Sequence, residues 1–242
     1  MTFVPPAASA ALLHGIDFSA AVDFAAAAKQ KFDAKDSEPD NRDPSQCEAL
    51  LKFPGNDGAV FWCSKMSIDT DGPSAGPGLP KGKQLDPNPA NASNETSYKP
   101  FGGGGLASEI IPYIVLPEEA HGSSQLFDPA VAMGDVAIVI FKNKMAAAVC
   151  GDAGPFNKIG EASIAVHMAL SDGHDCPDPC AQRDANHRCL KTIDSSVEKD
   201  VLYFVFPNSA FGDGELTAAN INAKVSQRAM ALFQALRGQV LS

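Results

Sequence analysis

The chain has 242 residues, 45% of them hydrophobic, enough for one large domain or two small ones with a real core, which excludes disorder throughout. Lys and Arg number 19 against 29 Asp and Glu, a net charge of −10, and this argues against nucleic acid and anionic membrane as partners because phosphate binding needs clustered cations. An acidic surface attracts a cationic partner instead, or serves solubility alone.

No apolar run approaches the ~20 residues that span a bilayer, so a soluble chain is expected. The N-terminal MTFVPPAASAALLHG has no basic stretch before its small apolar segment; it does not read as an intact signal peptide, and a mature start is expected. Residues 1–20 are rich in Pro and Ala without a period and are read as a loosely packed arm, followed by a helix over the alanine-rich Ala20 to Phe32. The chain thus divides into an N-terminal arm and helix, 1–46, and a single larger domain, 47–242, with no Pro/Gly linker between two cored halves and no 20–50-residue repeat.

AVFWCSKMSI (59–68) alternates large side chains and reads as a strand, stopped by DTDGPSAGPGLPKG. A long polar loop to about Gly105 contains the sequons Asn91-Ala-Ser and Asn94-Glu-Thr, where a glycan acceptor would be exposed. Further strands are predicted at IIPYIVL (110–116), DVAIVIF (135–141) and MAAAVC (145–150), the last two joined as a hairpin by Lys142-Asn143-Lys144. EASIAVHMAL (161–170) favours a helix, 171–193 is irregular and cysteine-rich, VLYFVF (201–206) is a buried strand, and Leu216 to Arg237 is an amphipathic helix with Thr217 as N-cap and Gly238 past its end. About six short strands with a few packed helices, not alternating regularly, predict an α+β, mainly β architecture of barrel type.

The six cysteines (Cys47, Cys63, Cys150, Cys176, Cys180, Cys189) form an even set whose fifteen possible pairings the sequence does not resolve. HDCPDPCAQRDANHRC brings His174, Cys176, Cys180, His187 and Cys189 together, but the C-x3-C and H-x-C spacings match no common zinc finger. With the sequons, disulfides and secretion are the better reading. A bridge at Cys150 would stiffen the motif that follows it, and a buried free thiol is the alternative.

That motif, GDAGPFNKIGEAS (151–163), sets Asp152 and Glu161 on either side of a Gly/Pro/Asn turn. A glycosidic bond needs one protonated carboxyl for the leaving oxygen and one ionised carboxylate for water or carbon. Glu161 precedes an apolar segment, where desolvation would hold its proton, and Asp152 sits between small residues, open to water, so the expected roles are acid and base respectively. The plain alternative is a Glu placed at a helix start to suit its dipole. Lys158, between them in sequence, could hold Asp152 ionised or be an ordinary exposed turn lysine.

SIDTDGPSAGPG (67–78), GLASEIIPYIVLP (105–117) and GDAGPFNKIGEASI (151–164), in this order along the chain, resemble the family 75 glycoside hydrolases, fungal and bacterial chitosanases, over most of the chain from about Cys47. The resemblance implies endo-hydrolysis of β-1,4-linked glucosamine polymers with inversion, and it places the family's Asp/Glu pair, nine residues apart, on Asp152 and Glu161. The same stretch is similar to a weaker motif of double-psi β-barrel hydrolases and lytic transglycosylases, which implies a six-stranded double-psi-like barrel with a cleft across one face.

Against a chitosan substrate, or chito-oligosaccharides, Asp69 and Asp71 could pair with sugar ammonium groups, or merely end a strand. Asp-x-Asp-Gly is a fragment of a calcium loop whose other ligands are missing, so no metal is expected, and the reaction needs no cofactor. Trp62, mid-strand beside Cys63, is read as core, while Tyr98 and Tyr113 are the candidates for sugar contacts and Glu109 is a further anionic subsite or a structural ion pair. The expected protein is a secreted, monomeric chitosanase. Its rivals are a non-hydrolytic polysaccharide-binding or wall-loosening protein and a peptidoglycan lytic transglycosylase on a similar barrel.

Overall fold

Runs such as VAIVIF and VLYFVF are apolar at every position rather than at alternate ones, which is what a strand buried on both faces requires. The structure, a computed structural model, describes residues 3–23, 49–55, 58–72, 95–101, 105–117, 131–154, 159–185, 189–193 and 196–238. Its strands are β1 (Val22–Asp23), β2 (Ala49–Lys52), β3 (Val60–Asp69), β4 (Tyr113–Pro117), β5 (Val136–Phe141), β6 (Lys144–Gly154), β7 (Glu161–Ser163), β8 (Cys180–Arg183), β9 (Cys189–Thr192) and β10 (Val197–Phe206). The helices among the described residues are α1 (Ile164–Leu170) and α2 (Ile221–Gly238), with a 3-10 turn at Ala7–Ser9.

The order β3-β10-β5-β6-β4-β7, with β7 pairing back onto β3, closes a six-stranded barrel, and β1 and β2 extend it from the edge of β3. The mainly β, barrel-type α+β architecture expected from the sequence is therefore what the chain adopts. Most neighbours are antiparallel, but β3 runs parallel to β7 and β4 parallel to β6.

Each strand feeds two cores. Ala137, Val139 and Phe141 of β5 join Trp62, Ile114, Ala148, Tyr203 and Val166 on one face, and Trp62 stacks on Tyr203 with ring centroids 5.2 Å apart, the core role predicted for it. Val136, Ile138 and Ile140 join Phe61, Phe204 and the buried stripe Ile221, Val225, Ala229, Phe233 and Leu236 of α2 on the other.

Several expectations are corrected here. The N-terminal segment is not a loose arm: Leu13 and Phe18 are buried, Phe3 and Phe18 lie 5.1 and 5.2 Å from the Phe61 ring, and Arg237 Nε donates to the His14 carbonyl. Aromatic side chains spaced without a period still find one pocket when the chain wraps around a sheet. The predicted helix from Ala20 begins instead with strand residues Val22–Asp23, and its remainder lies outside the described residues. Glu161–Ser163 forms β7, and the helix starts only at Ile164, where Ser163 Oγ accepts from the Val166 N–H. The C-terminal helix starts at Ile221, with Thr217 contributing its carbonyl to the preceding turn rather than capping. Within 171–193, β8 and β9 pair as a hairpin held by the Cys180–Cys189 disulfide. Cys150 and Cys176 are buried free thiols, so the bridge considered at Cys150 is not formed, and Cys47 lies outside the described residues.

Candidate active site

Asp152 and Glu161 are each preceded by a glycine, and the packing explains both. At Gly151 a methyl group would stand 2.6 Å from Tyr113 Cβ and 2.7 Å from Leu106 Cδ1. The β4–β6 register passes from Ile114 opposite Cys150 to Val115 opposite Asp152, leaving Gly151 as an extra residue. Such a bulge re-aims the side chain that follows it. Gly160 has φ +83° and a methyl there would collide with the Lys65 carbonyl and Ser64 Oγ, so the turn into Glu161 can approach β3 only as glycine. Gly160→Ala is expected to cost about 2–4 kcal/mol; an unchanged midpoint in thermal unfolding would refute this.

The bulged Asp152 is 4% exposed, which corrects the expectation that it lies open to water. Its Oδ1 accepts from the Ser97 N–H at 2.8 Å, from Ser97 Oγ at 2.7 Å and from the Ala153 N–H at 2.7 Å. The segment carrying Ser97 is fastened alongside β6 by the Tyr98 N–H to the Gly151 carbonyl, 3.0 Å, and by the Leu106 N–H to Thr96 Oγ1, 2.7 Å. Sequence reasoning missed Ser97, because NETSY registers there only as a sequon; its Thr96 is in fact fully buried.

Glu161 opens β7 opposite Ser67 of β3 and is half-buried, so burial of the two carboxylates is the reverse of that expected. Its Oε2 lies 3.5 Å from where a methyl on Gly154 would stand, two residues beyond Asp152 on β6. The two acids therefore occupy strands on either side of β4, at one end of the barrel.

Asp69, the last residue of β3, pairs with Ser163 of β7 and is 7% exposed. Its Oδ1 accepts the Asp71 N–H at 2.8 Å, and its carbonyl accepts from Ser108 Oγ. Ser108 Oγ also accepts the Ile164 N–H at 3.0 Å, so one hydroxyl joins the end of β3 to the start of α1. One carboxylate oxygen each from Asp69, Asp71 and Asp152 lies within 4.8 Å of the others. Burial first, then the negative charges of Glu161, Asp71 and Asp152, push the Asp69 carboxyl well above its usual range. Asp71 is half-buried and the more accessible of the three.

The remaining predicted contacts fare differently. Tyr113 is fully buried, its ring against Gly151 and its hydroxyl donating to the Asp71 carbonyl at 3.1 Å, so it shapes the acidic loop and offers no ring face to a sugar. Tyr98 is half-exposed, but its ring covers Gly134 and the charges around it are Asp213, Arg228 and Asp135, none of which belongs to the acidic cluster. Glu109 is buried, 5% exposed. Lys158, Asn91 and Asn94 lie outside the described residues.

A family model described as fungal chitosanase of glycosyl hydrolase group 75 matches residues 66–240. The chain belongs to this family. A search of curated proteins returns no significant match. Membership makes the protein a glycosidase with chitosan as its substrate, and sets the non-hydrolytic reading aside. The family 75 match opens at Met66, inside β3, and so contains Asp69, Asp71, Asp152 and Glu161 together. Among the described residues of this glycosidase, no helix is long and apolar enough to cross a membrane.

Proposed function

We propose that this family 75 enzyme cuts β-1,4 bonds in the interior of chitosan with inversion, Glu161 protonating the leaving oxygen while Asp152 takes a proton from the attacking water. The observation that supports it most is the placement of the two acids on β6 and β7, flanking β4, with Glu161 Oε2 beside Gly154. A water-activating carboxylate must stay aimed, and three hydrogen bonds to Oδ1 do that for Asp152. The partly exposed Glu161 can meet the leaving oxygen of a bound polymer. Asp71, beside this pair, is the carboxylate placed to take a sugar ammonium. The catalytic unit is read as residues 47–242, acting as a monomer outside the cell; the Cys180–Cys189 disulfide fits an oxidising compartment.

The test is the anomer released first. Proton NMR of chito-oligosaccharide cleavage is expected to show the α-anomer before mutarotation, and viscosity is expected to fall faster than reducing ends rise. Early β-anomer would mean retention, with one carboxylate acting as a nucleophile, and would overturn the proposal.

A further inference from the structure

The acidic cluster contains four carboxyl groups where the reaction uses two, and of the other two Asp69 is buried and Asp71 half-buried. Asp69 faces Asp71 from its own loop, Asp152 from β6, Glu161 from β7 and the Tyr113 phenol from β4. Its main chain is held on the β3–β7 rung at Ser163 and by the bond from Ser108 to its carbonyl, and its carboxyl is held inside by the Asp71 N–H on Oδ1. Like charges this close and this buried do not all ionise; one keeps a proton, as paired carboxyls elsewhere do.

We propose that Asp69 is a positioning residue that stays protonated while Asp152 and Glu161 work, its neutral O–H holding the neighbouring carboxylates together. The proposal rests on reading Asp152 and Glu161 as the acid–base pair, yet its own test does not need that pair to turn over. Ionising Asp69 would add a charge beside Asp71 and Asp152 and drive the carboxylates apart.

The glucosamine amine itself titrates, so the deciding measurements are made on the protein without substrate, comparing wild type with Asp69→Asn. Infrared spectra at pH 7 are expected to show a protonated-carboxyl stretch that Asp69→Asn removes. The sign of the stability effect follows from linkage: the unfolded chain releases this proton near the ordinary Asp value of 3.8 and the folded chain keeps it, so the stability contributed by Asp69 falls as pH rises above 3.8. Asp69→Asn escapes that cost, and its thermal midpoint is expected to exceed wild type at pH 7 by a margin that shrinks toward pH 4. At pH 5, Asp69→Asn is expected to retain about a tenth or more of kcat, because the amide still donates, while Asp69→Ala loses about 100-fold, in kcat rather than KM. No carboxyl stretch, or a midpoint difference independent of pH, would overturn the proposal, as would Asp69→Asn being as inactive as Asp69→Ala or a change confined to KM. A midpoint that calcium raises in wild type but not in Asp69→Asn would replace the proton by a cation and overturn it too. Full activity in Asp152→Asn or Glu161→Gln would instead defeat the parent reading and leave the substrate-free titration of Asp69 standing.

Discussion

Replacing Asp152 by Asn is expected to lower kcat on chitosan by about 10³-fold, within the range that general acid–base groups contribute, and to leave the fold intact. Asn keeps a carbonyl oxygen in the place of Oδ1, so the Ser97 N–H, the Ser97 hydroxyl and the Ala153 N–H retain their acceptor. It removes the capacity to take a proton from water. Glu161→Gln is expected to lose activity on the same scale, for want of a proton to give. The double variant should be scarcely worse than either single one, since groups that act in one step are not additive. Reducing-end assays with thermal unfolding in parallel check this; more than a tenth of wild-type kcat in a folded Asp152→Asn protein would refute it.

The second large effect concerns acid stability and comes from His167 in α1. The ring is fully buried with Nε2 3.0 Å from the Ser67 carbonyl, and burial pulls its pKa down to about 4 from 6.5. A folded value below the unfolded one means that the unfolded chain binds the extra proton between those two pH values. Stability contributed here is present above pH 6.5 and is lost as pH falls to about 4. The interval of 6.5 − 4 = 2.5 units corresponds to roughly 3 kcal/mol at ~1.36 kcal/mol per unit. His167→Gln keeps a donor for the Ser67 carbonyl and cannot be charged. Urea unfolding at pH 7 and pH 4 is expected to show the wild type losing roughly that much more than the variant. Asp69 changes stability in the opposite sense above pH 3.8, but it is common to both proteins and cancels in the comparison. Equal losses in the two proteins would remove His167 as the cause.

Both effects depend on features that were unequally legible in the sequence. The strands at 59–68, 135–141 and 145–150 and the hairpin at Lys142-Asn143-Lys144 were readable because apolar runs and a sharp turn are local signals, although Lys144 proves to be the first residue of β6. The acidic types at 69, 71, 152 and 161 were equally plain. Their surroundings were not. Asp152 looked open because its neighbours in sequence are Gly and Ala, while the groups that enclose it, Ser97 above all, are 55 residues away. Tyr113 looked available beside Pro112, but β6 and its glycine bulge close over the ring. Glu161–Ser163 looked helical because the turn of α1 follows at once; pairing with β3 on one side and β4 on the other makes it strand.

What the sequence determined by itself was the supply: barrel strands buried on both faces, a motif with two carboxylates nine residues apart, and family membership carried by short ordered stretches. What the tertiary structure alone decided was which charges meet. Parallel pairing of β3 with β7 and of β4 with β6 brings acids from distant segments to one end of the barrel, and only there does each side chain acquire its burial, its donors and its repelling neighbours. Protonation depends on those surroundings and not on residue type, and a linear order of residues does not contain them.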